Sequence, residues 1–381
     1  MKFFHLSDLH IGKQLHHYSL KEDQKEILSQ VTAYARQLHP DAIVIAGDVY
    51  DKSVPSAEAV SLWDEFLTAL ASIRPKIPIL IISGNHDSAE RLQYASALLT
   101  GQKIYLAGDI PKTGLAKVTL QDEYGDVTFY LLPFEKPSYV RHLFPEAHPE
   151  TYTEMIEKLI DREKIDFANK RNVLVSHQFY LGTTPQVTCD SEVVSVGGLD
   201  QVDVWAIQKF DYAALGHLHS PQCVGGERIR YCGTLLKYSV SEAGQKKGLN
   251  VITLREKGRE PEVEMLPLQP LRDVRKKEGT LEQLLKEAIP EEKNDFVSIT
   301  LTDEEELYKP KEQLERVYTH ILELRIENNR TRRKLEELDE KLVIKSPSEV
   351  FGEFYFQMHG KTMTSKEQKI IDEIFEQVKG E

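Results

Sequence analysis

The sequence predicts a layered α/β protein that carries a smaller α+β module and a helical tail. Three observations support this. Short apolar runs alternate with helical periodicity through the first hundred residues, later apolar runs are separated by turn-rich segments, and the composition changes after about Leu266, where Pro267 and Pro270 punctuate the chain. Residues 2–6 read as a buried strand, followed by a loop over 7–12 and a helix over 20–38. Strand 42–46, helix 56–73, strand 79–82 and a helix near 90–99 repeat the pattern. Further strands are expected over 104–106, 117–120, 127–132, 172–176, 212–215, 228–231 and 249–253, the later ones with some antiparallel pairing. Past the boundary come a helix over 281–288, a strand over 296–302 and a charged helix from 311 to about 340. A two-helix tail, 348–358 and 365–378, opens on Ser346-Pro347-Ser348 and is rich in aromatics at Phe351, Phe354, Tyr355 and Phe356. The expected domains are therefore 1–268, 269–345 and 346–381.

The 381 residues include 48 Lys and Arg against 61 Asp and Glu, a net charge of −13. That balance excludes binding nucleic acid through one global positive field and leaves local basic patches to do so, with Arg91, Lys246, Lys247, Arg275, Lys276, Lys277 and the island over 330–334 as candidates. No apolar run approaches the ~18 residues that span a bilayer. Lys2 and Asp8 appear before any signal-like apolar stretch, so a cytoplasmic protein without membrane contact is expected. Cys189, Cys223 and Cys232 form no C-x-x-C pair and fit reduced thiols.

Side chains able to bind metal recur where the expected strands run out. Asp8 and His10 follow the first, Asp48 the second, Asn85, His86 and Asp87 the third, His177 the strand ending at 176, and His217 with His219 the strand ending at 215. Loops beyond the carboxyl ends of strands are where α/β proteins build ligand sites, so five loops are expected to converge. Two carboxylates, four imidazoles and one amide oxygen, with no thiolate, suit Mn²⁺ or a similar first-row ion. Asp87 reads as a brace for the G-N-H-D loop, accepting backbone amides. The ordered set D-x-H, G-D-x-x-D, G-N-H-D, H and G-H-x-H resembles the calcineurin-like metallophosphoesterase superfamily. The resemblance implies a β-sandwich flanked by helices and hydrolysis of a phosphoester by two divalent ions. It implies that Asp8, His10, Asp48 and His219 hold one ion, that Asp48, Asn85, His177 and His217 hold the other, that His86 protonates the departing 3′ oxygen, and that Asp51 orients His86.

Longer stretches are similar to the SbcD family of bacterial nucleases: H-L-S-D-L-H-I-G-K at 5–13, A-G-D-V-Y-D at 46–51, S-G-N-H-D-S at 83–88, V-G-G-L-D at 196–200 and F-D-Y-A-A-L-G-H-L-H at 210–219. That likeness implies a Mn²⁺-dependent DNA nuclease, a 3′–5′ double-strand exonuclease and single-strand or hairpin endonuclease. It also implies homodimerisation through the helices at 56–73 and 90–99, a capping module, and a tail that docks on an SMC-like ATPase, SbcC, through its aromatics. The alternative is a small-substrate metallophosphatase or cyclic-nucleotide phosphodiesterase.

Overall fold

Apolar strands buried on both faces organise the molecule. The computed structural model describes residues 1–146, 148–183, 186–192, 200–329 and 347–379. Six strands form a first sheet in the order Glu262–Pro267, Gly248–Thr253, Lys2–Leu6, Ala42–Ala46, Ile79–Ile82 and Ile104–Ala107. The last four are parallel and the first two add on antiparallel. Ala42–Ala46 and Ile79–Ile82 are wholly buried, as strands of a sheet covered on both sides must be. A second sheet runs Gln222–Cys223, Ile229–Tyr231, Tyr212–Gly216, Arg171–His177, Gly125–Leu132 and Ala116–Asp122, parallel in the middle and antiparallel at both edges.

The sheets stack face to face. Phe3, Val44, Leu80 and Ile82 of the first meet Phe129, Val173, Val175 and Tyr212 of the second. Helices Lys21–Leu38 and Ala57–Ala71 cover the outer face of the first sheet with Ile27, Val31, Trp63 and Phe66, and helix Tyr152–Arg162 covers the second with Met155, Ile156 and Leu159. His5 sits fully buried between the layers, bonded to the Tyr212 hydroxyl at 3.0 Å and the Leu215 carbonyl at 3.1 Å. Burial pushes its imidazole down to about 3, so it serves as a neutral cross-link. Among the described residues no helix is long and apolar enough to cross a membrane.

Two expectations are corrected. The helix over 311–340 is replaced, within the described residues, by a short helix Pro310–Leu314 and a strand His320–Ile326. That strand is third in a parallel sheet with Val274–Gly279 and Phe296–Leu301, covered by Leu281, Leu284, Leu314 and Tyr318. The helix near 90–99 is two short helices, Ala89–Leu92 and Ser96–Thr100, broken at Ala95, whose φ is 60°. Leu62, Trp63, Phe66, Leu70 and Leu92 face the core, whereas Tyr94 and Leu98 are about four-fifths exposed (83% and 80%).

The third sheet is joined to the first. Tyr18 rests on Phe296 and His320, with ring centroids 5.8 and 5.0 Å away, and Arg272 stacks 4.7 Å over Phe296 while pairing with Asp23. In the tail, helices Pro347–His359 and Ser365–Lys379 pack on each other through Phe351 with Phe375 and Tyr355 with Glu367.

Candidate metal centre

Parallel strands leave their carboxyl ends along one edge, and five loops meet there. The loop after Lys2–Leu6 runs beside the loop after Ala42–Ala46: Asp8, His10 and Ile11 donate their amides to Gly47, Asp48 and Val49 at 3.0, 3.0 and 2.9 Å. Asp87 ties the third loop to the second, accepting the amides of Val49, Tyr50 and Gly84 at 3.1, 2.9 and 2.9 Å. The crowding sets the backbone. Asp8, His10, Asp48 and His217 have φ of 52, 43, 48 and 108°, conformations that cost side-chain-bearing residues about 1–3 kcal/mol and gather at functional sites. A Cβ at Gly84 would lie 2.1 Å from the Asp48 carboxylate, and one at Gly216 1.9 Å from the Ala46 carbonyl.

All seven expected ligands come together. Ligand-type atoms of Asp8, His10 and His219 lie within 4.8 Å of one another, as do those of Asp8, Asp48 and His177 and those of His10, Asp48 and His86. His177 Nε2 is 3.4 Å from Asp48 Oδ2 and 3.1 Å from Asn85 Oδ1, which also lies 3.0 Å from His217 Nδ1. His10 Nε2 faces His219 Nε2 at 3.1 Å and Asp48 Oδ2 at 3.6 Å. Asp8, His10, Asp48, His177, His217 and His219 are buried, whereas Asn85 and His86 are half-buried.

Burial pushes the Asp8 carboxyl up to about 7 and the imidazoles of His10 and His217 down to about 3 and about 4; His219 is held well below its usual range for the same reason. Burial also opposes charge on His177 and Asp48, but their mutual attraction wins. His177 rises to about 9, and Asp48 is held well below the usual carboxylate range. His10 Nδ1 and His217 Nε2 are buried without a hydrogen-bond partner. Neutral imidazoles facing each other, beside two buried carboxylates, make a donor set that divalent cations would satisfy.

The arrangement around His86 differs from the expectation. Its Nδ1 lies 2.8 Å from the main-chain carbonyl of Asp51, not from that residue's carboxylate. The carboxylate instead takes Lys13 Nζ at 2.8 Å and lies 3.6 Å from His10 Nδ1, because Lys13 offers it a full charge. Lys13 closes the H-L-S-D-L-H-I-G-K stretch, yet nothing in the sequence assigns it a role. Gln24 was also missed: it gives Nε2 to the His10 carbonyl at 2.7 Å and takes the Gly12 amide at 3.0 Å. Its signal is a buried amide on the apolar face of a helix. A cleft of about 920 Å³ opens beside Asn85 and His217, lined by Lys112, Lys136 and His142 and also by the acids Glu90, Asp109, Glu135 and Asp200.

Other expected groups are placed less favourably. Lys247 is buried against Glu242, and Arg275 and Lys277 pair with Asp295 and Glu292, so these three add little to a basic path. Residues 330–334 and 196–199 lie outside the described residues. Phe351 and Tyr355 face the neighbouring tail helix, leaving Phe354 and Phe356 about half exposed.

Residues 1–221 match the calcineurin-like phosphoesterase family, and residues 267–359 match the type 5 capsule protein repressor C-terminal domain. The SbcD component of the SbcCD nuclease of Staphylococcus epidermidis is 37% identical over 328 residues, covering 85% of each chain. Among solved structures, GAP50, the anchor in the inner membrane complex of Plasmodium, is 14% identical with a TM-score of 0.41, over 71% of this chain and 89% of its own. A dimetal phosphatase from Danio rerio is 13% identical with a TM-score of 0.40, over 70% and 98%. This chain belongs to the calcineurin-like phosphoesterase family and, within it, to the SbcD nucleases.

Proposed function

We propose that this chain is the metal-dependent nuclease component of a DNA end-processing complex, cutting phosphodiesters as a 3′–5′ double-strand exonuclease and as an endonuclease on single strands or hairpins. The observation that carries the reading is the convergence of the buried carboxylates of Asp8 and Asp48 with the imidazoles of His10, His177 and His219 in adjoining groups, with His217 joined to them through Asn85. Asp8, His10, Asp48 and His219 would hold one divalent ion, and Asp48, Asn85, His177 and His217 the other, with Mn²⁺ favoured by the donors. When bound, the pair neutralises the phosphate and acidifies a water.

The chain's own residues supply the rest. With Nδ1–H donated to the Asp51 carbonyl, His86 has Nε2 free, and from its imidazolium form that nitrogen would give the departing 3′ oxygen its proton and return to neutral imidazole. Lys13 adds a cation on the His10 side of the centre, steadied by the Asp51 carboxylate. Lys112 and Lys136 line the adjoining cleft and could neutralise phosphates of the bound strand. Val350, Phe354 and Met358, spaced four residues apart, leave an exposed apolar stripe on the tail that fits the groove of an SbcC-type ATPase, with Phe356 exposed on another side of the helix. Exposed Tyr94 and Leu98 support a homodimer, and the absence of a long apolar helix among the described residues fits a cytoplasmic complex. The third sheet, with its own apolar core and its seat on Tyr18, supports a cap at 269–345, between a nuclease domain at 1–268 and the tail at 346–381.

The test is a Mn²⁺ assay of wild type and His86→Ser on end-labelled duplex and on bis-p-nitrophenyl phosphate, with metal content measured. Loss of cutting with both ions retained is expected. Unchanged rates would reject the role of His86, and turnover of small esters alone would favour a small-substrate phosphatase or cyclic-nucleotide phosphodiesterase.

A further inference from the structure

The four imidazoles expected to bind metal are not held alike. His177 gives its second nitrogen to the Ala46 carbonyl at 2.8 Å, and the second nitrogens of His10 and His217 have no hydrogen-bond partner. His219 is bonded to a side chain: its Nδ1 lies 2.6 Å from Ser191 Oγ. Ser191 has one proton to give, and Glu242 Oε1, 2.7 Å away, accepts it. The hydroxyl must then receive its second hydrogen bond from the imidazole. This fixes His219 as the Nδ1–H tautomer and aims its Nε2 lone pair at His10 Nε2, 3.1 Å off.

The far end of this chain of bonds is rigid. Glu242 has no solvent exposure, takes the Ser239 hydroxyl at 2.9 Å and the Tyr238 amide at 3.2 Å, and pairs with the buried Lys247 at 2.6 Å. Lys247 also donates to the His219 carbonyl at 2.9 Å, and Glu192 accepts the His219 amide at 2.5 Å. Ring and backbone of His219 are thus clasped from both sides by residues outside the ligand set.

We propose that Ser191 and Glu242 are positioning residues for the ion shared by His10 and His219, holding the His219 ring in the tautomer and direction that binding requires. Resting on the two-metal reading above, the inference adds that the two ion sites are unequal. Among the described residues only one of them depends on a side-chain relay of this kind, and outer partners of such a histidine typically govern about 10–100-fold in metal affinity.

The experiment is Mn²⁺ titration of the full chain by calorimetry and electron paramagnetic resonance for wild type, Ser191→Ala and Ser191→Thr, with metal-free melting curves. Wild type is expected to take two ions and show a spin-coupled spectrum. Ser191→Ala should bind one ion as before and the second roughly 10–100-fold more weakly, giving an uncoupled six-line signal at intermediate metal. Ser191→Thr, which keeps the hydroxyl, should restore coupling, and all three should melt alike without metal. Wild-type affinity for both ions in Ser191→Ala would overturn the inference. So would a loss that threonine does not rescue and that tracks a lower metal-free melting temperature. Failure of wild type to take two ions would overturn the two-metal reading itself, and the relay with it.

Discussion

The candidate metal centre and the edge strand Val274–Gly279 both crowd charges together, yet they treat them in opposite ways. At the centre, Asp8 and His177 have side chains with no exposure, and acids and imidazoles converge from two sheets with buried nitrogens left over. On the edge strand, Arg275 is 38% exposed and has its own acids, Asp295 at 2.6 Å and Glu292 at 3.3 Å, while Lys277 takes Glu292 at 2.6 Å. The edge strand is complete as it stands. At the centre, attraction to Asp48 raises His177 against burial, while burial lowers His10, His217 and His219. Charge density alone therefore does not mark a site, whereas charge that is buried and unmatched does.

The sharpest way to break this contrast is Asp48→Ala. It should abolish binding of both ions and take diester hydrolysis to background. It should also destabilise the metal-free chain by about 3–5 kcal/mol, because His177 loses its buried counter-charge, as read by calorimetry and urea unfolding. His86→Ser comes next: turnover should fall by about 10²–10⁴-fold while two ions still bind, since the substitution removes the bond from the half-buried ring to the Asp51 carbonyl and keeps the backbone amide that reaches the Asp48 carboxylate at 2.9 Å.

A third test uses pH. His177 is raised from 6.5 to about 9 and Asp8 from 3.8 to about 7, so each favours folding in its protonated form. That stability is complete below the unfolded values and is lost as pH rises through about 7 and then about 9. Melting of the metal-free chain should accordingly decline from pH 6.5 to 9. Apparent Mn²⁺ affinity should climb over the same window, because the ion no longer displaces protons, and calorimetry in buffers of different ionisation enthalpy should count their release. The smallest effect belongs to the edge strand. Arg275→Ala should cost about 0–1 kcal/mol in urea unfolding and leave Mn²⁺ binding unchanged.

The side chains that converge at the centre were legible because their residue types are scarce and each follows an apolar strand, so position and chemistry coincide. Asp87 was legible for a related reason: a carboxylate beside loop amides has an obvious use. Ser191, Glu242 and Gln24 were not, since they act through hydrogen bonds between distant segments and no spacing records those contacts. Strand His320–Ile326 carries the alternation Leu322, Glu323, Leu324, Arg325, Ile326 that marks a strand, but the charged, helix-favouring residues on either side mask it, and the strand pairs with Phe296–Leu301. Val274–Gly279 was hidden because an edge strand tolerates charge. Helix Tyr152–Arg162 was passed over despite a clear start, where Thr151 caps the Glu154 amide at 3.1 Å and Glu154 reaches back to the Glu150 amide at 3.0 Å.

The loops bearing Asp8, Asp48 and Asn85 leave one layer of the sandwich, and those bearing His177, His217 and His219 leave the other. An ion held by both sets would act as a rivet through the two layers. Parting the layers would then require giving it up, so loading the chain with metal should raise its stability against unfolding as well as equip it for hydrolysis.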